Sequence, residues 1–169
     1  MPLRVGTRAS NLATAQAEKV CSLLGDLGVE TEIVFISTVG DEKTDLPLHE
    51  IGGQGVFVRA LDDALEQGKI DMAVHSMKDI PAYRPAGLVT SAILARDSPC
   101  DYIVTDHELE DLKIIGTSST RRTAQLRRNL PWADIKPLRG NVNTRLSRLR
   151  TGEYDGIMLA EAGLQRLSM

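Results

Sequence analysis

Apolar and polar positions along this chain follow two periods, one of about two residues and one of about 3.6. Residues 3–7, Leu-Arg-Val-Gly-Thr, read as a short strand. Residues 10–26 read as a helix, with Ser10 as N-cap and Leu12, Val20, Leu23, Leu24 and Leu27 near one face. Residues 29–37 alternate and then become wholly apolar, as an inner strand does. Residues 38–55 are polar and glycine-rich and read as a long loop. Val56, Phe57, Ala60, Leu61, Ala64 and Leu65 line an amphipathic helix, with Asp62, Asp63 and Glu66 facing outward. Residues 71–75 and 88–95 read as further strands.

A polar break at 96–101, Arg-Asp-Ser-Pro-Cys-Asp, is the expected hinge. Beyond it, 102–105, 113–117, 134–138 and 155–159 read as strands, and 119–130, 142–151 and 160–167 as helices. This alternation predicts an α/β fold with mostly parallel sheets. The expected division is a first α/β lobe over 1–97 and a second over 98–169. The Gly-Thr pair at 6–7 returns at 116–117, a weak internal echo of one lobe in the other.

With 169 residues and a hydrophobic fraction of 42%, the chain can bury a core in one large domain or two small ones. No apolar run approaches the ~20 residues of a membrane span, and no signal-peptide h-region opens the chain. A cytoplasmic protein without a membrane partner is the expectation. The two cysteines, Cys21 and Cys100, suggest no disulfide framework. Net charge is −3, but residues 1–111 carry 9 Lys and Arg against 19 Asp and Glu, whereas 112–169 carry 11 against 4. That imbalance points to an anionic ligand near the second half, or to a solvated basic surface.

Three strand-like runs end in a small-residue turn bearing hydroxyls or arginines: Gly6-Thr7-Arg8-Ala9-Ser10, Gly116-Thr117-Ser118-Ser119-Thr120-Arg121-Arg122 and Leu138-Arg139-Gly140-Asn141-Val142-Asn143-Thr144-Arg145. Helix N-termini offer unpaired N–H groups to anions. Arg121 and Arg122 fall in a predicted first helical turn, where cations oppose the helix dipole. A bound anion would offset that opposition; so would solvation, or pairing with the acidic first half. The stretch from His75 to Pro81 delivers Ser76, Lys78 and Asp79 to a strand's carboxyl end, where α/β sheets bind ligands. A local ion pair in a turn closed by proline is the other reading. Gly52-Gly53-Gln54-Gly55 is a weak candidate anion nest. No phosphate-binding P-loop is present, and His49, His75 and His107 lack metal-ligand spacing, so no metal is expected. Trp132 and the few other aromatics build no stacking platform among the arginines, which argues against nucleic acid.

Together these stretches resemble the porphobilinogen deaminase (hydroxymethylbilane synthase) family. The likeness extends to Ala73-Val74-His75-Ser76-Met77-Lys78-Asp79-Ile80-Pro81, Gly152-Glu153-Tyr154-Asp155 and Ala162-Gly163-Leu164-Gln165-Arg166-Leu167, in the family's order. It implies two lobes like those of type II periplasmic binding proteins, with the site in the cleft between them. It also implies head-to-tail joining of four porphobilinogen units into hydroxymethylbilane with loss of ammonia, on a covalent dipyrromethane cofactor. Asp79 then matches the catalytic aspartate. Arg8, Ser10, Lys78, Thr117, Ser119, Arg121, Arg122, Arg139 and Arg145 match groups holding the cofactor's carboxylates, and Arg166 and Ser76 substrate-binding groups. Partners would be porphobilinogen and pyrrole polycarboxylates, and the full-length enzyme a monomer.

This chain departs from the family at Gln54, where lysine is usual, and at Arg59, where lysine is frequent and charge is kept. Family members are longer. The resemblance therefore leads one to expect a second lobe that is truncated, a cofactor-bearing third domain that is absent, and a chain inactive by itself. Neither cysteine sits in a glycine-rich cofactor motif, so neither is expected to be the attachment point. The alternative is a non-catalytic two-lobed binding module for a small polycarboxylate.

Overall fold

Alternate residues of Leu3–Thr7 (β1) turn inward, and both Val5 and Thr7 are fully buried. The computed structural model describes residues 1–37 and 56–169. The expected loop over 38–55, with His49 and the Gly52-Gly53-Gln54-Gly55 turn, lies outside the described residues, as do the side chains of Val56 and Phe57. The chain divides into two units, Met1–Ala95 and Arg96–Met169.

In the first unit β1 is the middle of a parallel sheet, flanked by Thr31–Phe35 (β2) and the two-residue Met72–Ala73 (β3). Asn11–Asp26 (α1) begins where the Ser10 hydroxyl accepts from the Ala13 N–H at 3.4 Å. Val56–Glu66 (α2) packs Leu61 and Ala64 with Ile70 against Val34, Ile36 and Ala73. Gly6 permits this close approach, since a Cβ there would stand 2.2 Å from the Ile70 Cδ1. The Asp71 carboxylate takes the Arg4 backbone N–H at 2.8 Å and the Arg4 Nη2 at 2.6 Å, which sets the register of the β3 segment.

Four expectations fail here, each for a physical reason. β2 is not an inner strand: among the described residues only β1 pairs with it, and Phe35 is exposed. Ala17 is the buried residue of α1, whereas Leu23 and Leu27 face water; a small side chain lets the helix sit close to β1 and β2. Asp62 is not outward but only 6% exposed, because it shares the buried stripe of Val58 and Leu61. Residues 88–95 form no strand; with no ladder partner among the described residues, Val89, Ile93 and Leu94 remain exposed.

The second unit is a four-stranded mixed sheet. Asp101–Thr105 (β4) runs antiparallel to Gly156–Ala160 (β7), and β7 is parallel to Ile114–Gly116 (β5), which is parallel to Asp134–Lys136 (β6). Side chains alternate across it as the pleat requires. Ile115 and Met158 join Leu112, Leu126 and Leu130 on one face, beneath Thr120–Asn129 (α3). Ile157 and Leu159 join Leu138 and Tyr154 on the other, against Val142–Arg150 (α4) and Leu164 of Glu161–Arg166 (α5). Helices on both faces of a largely parallel sheet make this an α/β unit.

Two glycines seat the turns that matter later. A Cβ on Gly116 would fall 2.8 Å from Tyr154 Cδ1 and 2.9 Å from Leu138 Cδ2, so the end of β5 lies directly on that core. Gly140 has φ +103°, which an L side chain strains to adopt, and it turns the chain into α4.

Asp155 fastens the start of β5. Its Oδ2 accepts the N–H groups of Ile114 at 2.8 Å and Lys113 at 2.9 Å, and these two bonds hold its carboxyl below the usual carboxylate range. A folded-state pKa below the unfolded value gives stability that is complete above the unfolded pKa and is lost as pH falls through the folded one. Asp155→Asn should therefore lower the urea midpoint at pH 7, and the difference should shrink on acidification to about pH 3. Urea titrations of both proteins across that range check it.

Candidate functional site

The second unit gathers its predicted residues around the N-termini of α3 and α4. Thr117 is 3% exposed, and its Oγ1 accepts the Ser119 N–H at 3.2 Å. The Ser118 hydroxyl donates to the Leu138 carbonyl at 2.8 Å, tying the turn after β5 to the one before α4. Ser119 caps α3, accepting from the Arg122 N–H at 3.4 Å. Asn141 caps α4, its Oδ1 accepting from the Thr144 N–H at 2.9 Å. These caps fix where the flanking arginines stand.

The arginines differ in their company. Arg121 is exposed on the first turn of α3. Arg122 is engaged by Asp101, with Nε on Oδ2 at 2.8 Å and Nη2 on Oδ1 at 2.5 Å. Arg145 donates from Nε to the Gly140 carbonyl at 2.8 Å. Arg139 has a buried Nη1 that meets no acceptor. Among the described residues no carboxylate pairs with Arg139 or Arg145. Burial, and then the like charges of Arg122 and Arg139, push the Arg145 pKa down. Three guanidinium groups thus share one end of the sheet, with a single carboxylate between them. A buried donor without an acceptor, among like charges, suits an anion with two oxygens.

The dipyrromethane group that the resemblance implies carries carboxylate side chains. The unpartnered Nη1 of Arg139 and the crowded Arg145 fit such a group. Arg166 is placed elsewhere: its Nε and Nη2 both donate to Asp97 Oδ2, at 2.8 and 2.5 Å. That ion pair fastens the C-terminal turn of α5 to the start of the unit.

In the first unit, Asp79 closes a 3₁₀ turn over Met77–Asp79, with its N–H on the Ser76 carbonyl at 2.9 Å. Its side chain is half-buried, as is that of Arg8 beyond β1, whereas Lys78 is exposed. The Ser76 hydroxyl donates to the Gln16 Oε1 at 3.1 Å, which ties the turn to α1. Ser10 is engaged in capping that helix. Both Asp79 and Arg8 act electrostatically on His75, so Asp79, Arg8 and His75 share one neighbourhood.

Sequence reading missed the pair beside them, Asp62 and Arg84, whose Oδ1 and Nη2 are 2.8 Å apart. The signal for Asp62 was present: it lies four residues after Val58 and one after Leu61, on the apolar stripe. Nothing local marked Arg84, whose partner is 22 residues away. Among the described residues no group of three or more His, Cys, Asp or Glu could hold a metal ion.

Comparison with known proteins adds the family. The model described as porphobilinogen deaminase, dipyromethane cofactor binding domain, matches residues 3–169. A probable porphobilinogen deaminase of Methanosarcina acetivorans is 55% identical over 169 residues, covering 96% of this chain and 53% of that protein. One from Archaeoglobus fulgidus is 50% identical over 174 residues, covering 100% and 60%. The porphobilinogen deaminase of Acidithiobacillus ferrooxidans is 48% identical, covering 99% and 57%. The chain spans about half the length of the curated relatives it matches. Among solved structures, an ancestral cationic amino acid solute binding protein is 18% identical with a TM-score of 0.46, covering 94% of this chain and 69% of that one. A match that runs through every turn described above has one consequence: the chain belongs to the porphobilinogen deaminase family.

Proposed function

We propose that the protein is a transferase of tetrapyrrole biosynthesis that joins four porphobilinogen units head to tail into hydroxymethylbilane, releasing ammonia at each addition. The observation that carries this reading is the pair Arg139 and Arg145, guanidinium groups withdrawn from water with no carboxylate partner among the described residues. Each pyrrole brings two carboxylates, so a growing chain of them needs many cations. The second half supplies these, with 11 Lys and Arg against 4 Asp and Glu after residue 111.

Arg139 and Arg145 hold carboxylates of the dipyrromethane cofactor, with Arg121 at the more exposed rim. The cofactor, when bound, supplies the pyrrole end to which the first substrate unit is joined. Thr117 and Ser119 shape the turn that sets Arg122 in place, and Arg122, bound to Asp101, contributes positive field rather than a free fork. Arg8, Ser10 and Lys78 serve the acidic side chains of cofactor and substrate from the first unit. Ser76 keeps the Asp79 turn against α1 and faces the substrate. Arg166 reaches a substrate carboxylate only by leaving Asp97.

Asp79 supplies the electrostatic part of the chemistry. When the substrate's amine departs as ammonia, it leaves a cation conjugated with the pyrrole nitrogen. A fixed carboxylate beside that N–H stabilises the developing charge without reorganising solvent. The same carboxylate can accept the proton shed once the new carbon–carbon bond has formed.

Two outcomes follow. In the cofactor-loaded protein of natural length, Asp79→Asn should cut kcat roughly 10²-fold or more while changing KM far less; steady-state assays of porphobilinogen consumption read this, and an unchanged kcat contradicts the role. The 169 residues expressed alone should carry no dipyrrole, because Cys21 lies half-buried in α1 and Cys100 lies outside any glycine-rich turn. Such a chain should turn over no porphobilinogen. Intact mass and Ehrlich absorbance check this; an added dipyrrole mass on Cys21 or Cys100 contradicts it.

A further inference from the structure

Asp62 is a carboxylate on the core side of α2, and among the described residues one cation, Arg84, pairs with it. Arg84 Nη2 donates to Asp62 Oδ1 at 2.8 Å, and the two side chains retain only 19% and 9% of their exposure. The other guanidinium nitrogens of Arg84, Nε and Nη1, are buried and meet no acceptor; the same is true of His75 Nε2. A buried ion pair is a poor device for stability alone, since apolar residues of similar volume often serve as well or better. Its value lies in geometry, and here the geometry has a definite subject. His75 enters the segment that carries Ser76, Lys78 and Asp79, Arg84 follows its exit, and both stand in the field of Asp62.

We propose that Asp62 and Arg84 are positioning residues, a buried clamp on α2 that fixes the Ser76–Asp79 turn from its exit side, with His75 as its member at the entrance. The proposal rests on the reading that Asp79 performs the chemistry, because a carboxylate meant to meet a developing cation must be held in one place. The charged groups whose fields reach His75 are Asp62 on α2, Arg84 in the segment after the turn, Asp79 in the turn and Arg8 beyond β1. Burial pushes the His75 pKa down; Asp62 and Asp79 push it up, and Arg84 and Arg8 push it down. Removing Arg84 should therefore raise the His75 midpoint, and removing the Asp62 charge should lower it.

The test uses the cofactor-loaded protein of natural length. The double variant Asp62→Leu/Arg84→Met replaces both charges with apolar side chains. It should melt no lower than the parent, yet lose roughly tenfold in kcat with KM changed by less than about twofold. Arg84→Lys, which keeps a cation on Asp62, should recover part of that loss. NMR titration of the His75 imidazole should show its midpoint rising in Arg84→Gln and falling in Asp62→Asn. A double variant with parental kcat overturns the clamp, as does one that melts well below the parent, which would assign the pair to stability. A His75 midpoint unmoved in both single variants also overturns it. Asp79→Asn, assayed beside them, separates the two ideas: if it loses kcat while the double variant does not, only the clamp fails, and if both keep parental kcat, the reading of Asp79 fails with it.

Discussion

Positive charge held together without enough negative charge to answer it is the constraint on which the second unit turns. Arg122, Arg139 and Arg145 come from α3, from the turn before α4 and from α4 itself, and among the described residues only Arg122 has a carboxylate, Asp101. Like charges at close range oppose folding. Their persistence needs a rigid frame, and the frame is visible. Leu138, Tyr154 and Ile157 form a buried cluster under the turns, Gly116 lets β5 end on it, and Gly140 adopts a backbone angle that favours glycine. Ser119 and Asn141 then cap the two helices and fix where the flanking arginines stand. Packing on one side of the turns sustains electrostatic frustration on the other.

The first unit solves a different problem. Among its described residues Arg4 pairs with Asp71 and Arg84 with Asp62. Asp71, given three donors by Arg4, is held at a pKa of about 2. The turn at 76–79 is short, and its ladder strand β3 has only two residues, so backbone pairing alone fixes it weakly. Side chains take over that task, Ser76 toward α1 and the Asp62, Arg84 and His75 group toward α2. The first unit is thus braced by paired charges, whereas the second holds guanidinium groups together that have few carboxylate partners among the described residues.

Much of this was legible along the chain, and the reasons differ by element. The helices at 119–130 and 142–151 were legible from the alternation of strands and helices, and that at 10–26 from its Ser10 cap, a local signal. The strands of the second half were legible for the same reason. Residues 88–95 misled because Leu88, Val89, Ile93 and Leu94 have strand composition, but a strand exists only with a partner, and partners are non-local. Asp62 misled because its charge was read ahead of its position on the helix. The clustering of Arg139 and Arg145 followed from the turns that carry them. The carboxylates that claim Arg122 and Arg166 did not, because Asp101 and Asp97 lie 21 and 69 residues away and no pattern along the chain joins them.

The uncompensated charge of the second unit can be measured directly by melting the parent and Arg145→Gln with and without porphobilinogen. The account predicts that the variant, relieved of one like charge, melts at or above the parent when free of ligand, and that porphobilinogen raises its melting temperature less than it raises the parent's. A variant that melts lower in the free state and gains as much from porphobilinogen as the parent would contradict it.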